Sequence, residues 1–126
     1  MLLHVAVICL AACLGALLRW GFALWLNPGG LLPWGTLAVN LIGGYLIGIA
    51  IAVFTQRPDI DPAWRLLIIT GFLGTLTTFS SFSAEVVTML MQQRYGIALA
   101  TLLLHVGGSF TLTWAGMRTA LWWAAR

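Results

Sequence analysis

The stretch 71-GFLGTLTTFSSFS-83, Gly71 to Ser83, lies inside a long apolar run yet carries six hydroxyl residues, two glycines and no charge. Gly71 and Gly74 flank a site where helix propensity drops. Thr75, Thr77 and Thr78 can hydrogen-bond their own backbone and bend a helix. If this segment crosses a bilayer, a break here exposes amides and carbonyls at depth. Such backbone survives only when it is buried in protein or lines a cavity. Two readings stand at this point: an ion site built from a broken helix, or small-residue helix packing with local back-bonding.

The rest of the chain supports the bilayer. Of 126 residues, 61% are hydrophobic and only 7% charged, too few to coat a soluble domain. Seven tryptophans suit headgroup level. The net charge is +3, all basic residues are Arg, and no basic run occurs, so nucleic-acid binding has no support. Cys9 and Cys13, one helical turn apart, read as small packing residues. The N-terminus lacks a basic n-region and its apolar stretch runs long, so it reads as a retained first helix rather than a signal peptide.

Four apolar segments follow one another: Leu2 to Leu26, Trp34 to Thr55, Trp64 to Met91 and Ile97 to Trp123. The connections are "NPGGLLP", "QRPDIDPAWR" and "QQRYG". Each segment reaches the roughly 20 residues that a spanning helix needs, and none alternates as a spanning strand would. The expectation is an all-α membrane protein, a single four-helix transmembrane domain over residues 1–126, with the third helix broken mid-membrane. Both termini fall on one side. Arg57, Arg65 and Arg126 lie on that side and Arg94 on the other. This bias is a weak orienting signal, small enough to let the chain insert both ways.

Phe79 and Phe82 share a helix face among Ser80, Ser81 and Ser83. Aromatic ring edges are electropositive, so they can attract a small anion without trapping it as an arginine would. Packing is the plainer reading of the pair. Glu85 is an acid near the end of the segment, either functional or a cap or interface residue. In the second segment Asn40, Gly44 and Gly48 recur every four residues, with the glycines forming a small-xxx-small pair. The Asn40 amide serves as interhelical glue or as a donor to an anion. Thr101, His105, Ser109 and Thr113 form a polar stripe in the fourth segment, which suggests a water-filled path. Arg19 either snorkels, anchors a neighbouring loop or draws anions to a vestibule. No nucleophile–base pair, phosphate loop or metal-ligand cluster is legible, so an enzyme reading has little support.

Taken together and in order, "GALLRW", "GTLAVNLIGGYLIG", "GFLGTLTTFSSFS" with the following Ala84-Glu85, and "HVGGS" resemble the Fluc (CrcB) fluoride-channel family. The resemblance covers nearly the whole chain. It implies an antiparallel, dual-topology homodimer in a bacterial inner membrane, exporting cytoplasmic fluoride passively through two pores. It implies that Asn40, Phe79, Phe82, Ser109 and Thr113 line each pore. Backbone carbonyls of Gly74 and Thr77 would hold a structural Na⁺ at the dimer interface, and Arg19, Glu85 and His105 would be supporting residues. The chain departs from the family pattern at Thr75, where a second glycine is common, and at Ser81, where threonine is common. A small multidrug-resistance-type proton-coupled exporter shares the size and span count. It needs an acid in the first helix, and this chain has none there. An assembly or anchoring subunit would explain the glycines but not the polar stripes.

Overall fold

The structure is a computed structural model and describes residues 1–27 and 29–126. Four helical spans are long and apolar enough to cross a membrane: Leu2–Leu26, Trp34–Gln56, Pro62–Met91 and Tyr95–Ala124. The first is α1 (Leu2–Leu26) and the second α2 (Trp34–Gln56). The third comprises α3 (Pro62–Arg65), a π-helical stretch Leu66–Leu73, α4 (Gly74–Leu76) and α5 (Phe79–Met91). The fourth is α6 (Tyr95–Ala124). The spans match the expected segments to within a few residues at their ends.

α2 is the central helix. It packs most extensively on α6 and also touches α1, while α1 lies chiefly against the π-helical stretch. Glycine makes the α2–α6 approach possible. A Cβ on Gly44 would press on the Ser109 carbonyl at 3.2 Å and on Thr113 Oγ1 at 3.3 Å. One on Gly48 would collide with the Thr113 carbonyl, and one on Gly116 with that of Tyr45. The small-xxx-small pair is therefore consumed inside the chain, as membrane helices use such pairs. It gives no argument for a dimer.

The ends of the helices are tied by side chains. The Gly35 amide, near the start of α2, donates to Asn27 Oδ1 at 2.7 Å. Asp61 caps α3 by accepting from the Ala63 amide at 2.8 Å. Arg94 donates to the Leu31 carbonyl at 2.9 Å, joining two loops at the same end of the bundle. In the loop after α2, Arg57 and Asp59 pair at 3.1 Å. The guanidinium hydrogen bond holds the Asp59 carboxyl below its ordinary range, but both groups are exposed and the pair adds little stability.

The outer surface suits lipid. All seven tryptophans are exposed. Trp20, Trp25 and Trp34 cluster towards one end of the bundle, and Trp64, Trp122 and Trp123 towards the other, as two interfacial belts require. Arg126 sits over the Trp122 ring at 3.6 Å. Cys9 and Cys13 are exposed on α1, so they face outwards and do not fill the core as expected of packing residues. With almost every wall of α1 outward, only Ala11 and Gly15 are buried there.

Candidate functional site: a broken helix beside an open cavity

The third span is interrupted midway, at Thr77 and Thr78. Thr77 adopts φ −81°, ψ 156° and Thr78 adopts φ −151°, ψ 121°, both extended. The break falls on two of the three threonines expected to bend the helix, while the stretch up to Leu73 stays helical by widening into π-helix. Thr75 supports that wide turn: its hydroxyl lies 2.7 Å from the Gly71 carbonyl, 3.2 Å from that of Phe72 and 3.1 Å from that of Ala12 on α1. Gly15 gives Thr75 room, since a Cβ there would collide with the Thr75 hydroxyl. The Thr75 departure from the family pattern thus fills a slot between α1 and the third span.

At the break, backbone groups lose their ladder and find substitutes. The Thr78 amide would continue the helix by donating to the Gly74 carbonyl. It donates instead to Asn40 Oδ1 at 2.8 Å, and Asn40 Nδ2 donates to the Thr78 carbonyl at 3.0 Å. Arg19 Nε donates to the freed Thr75 carbonyl at 3.0 Å. The anchoring reading of Arg19 is the one its geometry matches. Thr78 then starts α5 as its N-cap, accepting from the Ser81 amide at 3.2 Å. The carbonyls of Gly74 and Thr77, unlike those of Thr75 and Thr78, are not claimed by Arg19 or Asn40.

Beside the break lies an open cavity of about 590 Å³. Its wall includes Asn40, Phe79, Phe82, His105 and Ser109, together with Gly74 and Thr77. Thr113 is one turn further along α6, outside this wall, with its hydroxyl close to Gly44. The Phe79 and Phe82 rings meet edge-on, centroids 5.6 Å apart and planes at 65°. Phe79 is 78% exposed and Phe82 only 6%. His105 is buried, its Nδ1 lies 3.0 Å from the Thr101 carbonyl, and its ring stacks on Phe82 at 4.4 Å.

A second cavity of about 370 Å³, which also reaches Thr78, is lined by Arg19, Thr36, Ser81 and Glu85 among others. Thr36 donates to Glu85 Oε1 at 2.5 Å, and Glu85 Oε2 is buried with no partner among the described residues. Glu85 is therefore tied to α2 rather than acting as a helix cap. The polar stripe on α6 is only partly open. Thr101 is fully enclosed and donates to the Ile97 carbonyl at 2.8 Å, so a water-filled path does not run its whole length within one chain.

Sequence reasoning passed over Thr36, although it extends the four-residue spacing of Asn40, Gly44 and Gly48 by one step towards the N-terminus of α2. It also left Thr78 as a bending residue. The signal for its true place was a threonine three residues before Ser81, the position of an N-cap opening a new helix.

Residues 6–117 match the family described as CrcB-like protein, Camphor Resistance (CrcB). The chain belongs to the CrcB family. Its whole length aligns at 83% identity, over 126 residues and the full relative, with the fluoride-specific ion channel FluC of Paracidovorax citrulli. It is 64% identical over 119 residues, 94% of this chain and 95% of the relative, to the protein of that name from Variovorax paradoxus. The corresponding CrcB relative of Pseudomonas paraeruginosa is 55% identical over 125 residues, 97% of each chain.

Proposed function

We propose that this protein is a fluoride-selective channel of the bacterial inner membrane, passing the anion down its electrochemical gradient. The carrying observation is the join of two facts: full-length 83% identity to a fluoride-specific ion channel, and a mostly apolar cavity at a helix break whose wall carries Asn40, Ser109 and the Phe79–Phe82 pair. Fluoride is small and strongly hydrated, so a path for it must replace water's hydrogen bonds. Asn40 and Ser109 supply neutral donors on the cavity wall, Thr113 would extend them one turn beyond it, and Phe79 and Phe82 supply ring edges. Such partners bind weakly enough to release the ion, the balance that conduction needs. In acid surroundings hydrogen fluoride leaks inward and dissociates, and a passive exit then protects the cell. Liposomes loaded with fluoride and carrying the purified protein should empty rapidly, while chloride-loaded liposomes should not. Equal release of both ions would remove the fluoride reading. The exporter alternative gains nothing, since α1 carries no acid.

The functional unit is an antiparallel homodimer with two pores. Phe79 and Gly74 are exposed midway along a spanning segment, and the larger cavity is open along its side, as suits a wall completed by a second copy. The resident cation is Na⁺, held by the carbonyls of Gly74 and Thr77 from both copies. The residues fit: the break releases the Gly74 carbonyl when the Thr78 amide turns to Asn40, and oxygen ligands suit a hard cation. Bound there, Na⁺ would supply positive charge that holds the copies together. Reporters fused to the C-terminus should give signals on both sides of the membrane, and replacing Na⁺ with a bulky organic cation should lower fluoride release. A single-sided C-terminus would sink the antiparallel arrangement, and undiminished flux after exhaustive exchange would sink the cation site.

A further inference from the structure

We propose that His105 is a positioning residue for Phe82, holding the plane of that ring and so setting which part of it meets the cavity. The proposal rests on the pore reading of Phe79 and Phe82. The two rings stand on different helices. Phe82 is one turn past the break, on the restarted α5, whereas His105 lies within the uninterrupted α6. The imidazole is buried, and its Nδ1 is fixed 3.0 Å from the Thr101 carbonyl. Its plane lies 29° from that of Phe82 with centroids 4.4 Å apart, so one face of Phe82 is covered by a flat, anchored partner. Phe79 meets Phe82 at 65°, which passes the constraint on to the second ring. The orientation of the pair is thus referred to α6.

His105 Nε2 is buried with no hydrogen-bond partner among the described residues, so the stacking on Phe82 rather than a second hydrogen bond is what carries the proposal. What Phe82 meets is the flat face of the imidazole. Phenylalanine keeps that flat face and removes both nitrogens, the Nδ1 contact to the Thr101 carbonyl included. Leucine keeps apolar bulk and removes the plane.

The test is a pair of variants read by fluoride efflux from liposomes, with size-exclusion profiles for assembly. His105→Phe should stay within about threefold of the parent, and His105→Leu should fall by roughly tenfold or more, the scale of a lost aromatic pair at its upper end. A His105→Phe variant as inactive as His105→Leu would overturn the proposal, because a nitrogen would then carry the role. So would a His105→Leu variant with parental flux. Should His105→Leu fail to assemble, NMR of a ring-labelled Phe82 decides: hindered ring flips in the parent and in His105→Phe support the proposal, and free flips overturn it. The same measurement separates this idea from the pore reading. If Phe82→Ile retains full flux, the rings leave the conduction path, while the flip rate still reports whether His105 holds Phe82.

Discussion

Phe79→Ile and Phe82→Ile should each cut fluoride efflux by roughly tenfold or more while the protein still assembles, because the swap keeps apolar bulk and removes the ring quadrupole. The two positions make the comparison informative. Phe79 is 78% exposed, so its ring contributes little to the packing of the single chain. Phe82 is 6% exposed and sandwiched between Phe79 and His105. Ile at that buried site loses some ring volume and both aromatic contacts, so a stability cost accompanies any loss of conduction there. If the rings only pack, Phe82→Ile should lower stability and Phe79→Ile should do little, with flux unchanged in both. If their edges carry fluoride, the exposed ring should matter as much as the buried one. Efflux from liposomes with a fluoride electrode, alongside thermal unfolding in detergent, separates these outcomes. Full flux in both variants would take the rings out of the mechanism.

The spans were legible because their signal is a sum over some twenty residues, which local exceptions do not disturb. The break was legible as a neighbourhood, from Gly71 to Thr78, rather than as a position. Glycine lowers helix propensity at Gly71 and Gly74, yet a backbone in a membrane stays bonded where it can, and a π-helical turn with the Thr75 hydroxyl achieves that. The chain opens instead where long-range partners replace the lost bonds. Asn40 lies 38 residues from Thr78, and Arg19 lies 56 from Thr75. No local pattern announces such pairings. The Gly44–Gly48 pair shows the opposite limit. The motif says that a helix will come close, but not whether the neighbour is α6 of the same chain or a second copy. Glu85 was visible as an anomaly in an apolar run. Its partner Thr36 was hidden, because it sits 49 residues away near the start of another helix.

Asn40→Ala should lower stability by roughly 2–5 kcal/mol, since it strips two backbone groups of their partners where no bulk water can replace them. Both ends of the Asn40 amide are spent on Thr78, one accepting from its amide and one donating to its carbonyl. The amide therefore mimics a neighbouring peptide group and closes the gap in the third span. One Nδ2 hydrogen remains, and Asn40 also lines the larger cavity, so a donor to fluoride is still available. The two roles make different demands on a substitution. Asn40→Asp keeps an acceptor for the Thr78 amide but loses the donor and, when ionised, adds a negative charge beside the anion's path. It should assemble better than Asn40→Ala yet conduct less well than its stability alone would allow. Thermal unfolding in detergent reports the clamp, and fluoride efflux from folded protein reports the donor. An Asn40→Ala variant with the parent's unfolding midpoint would show that the clamp is dispensable. If that variant were also silent in efflux, the amide would belong to the ion rather than to the backbone.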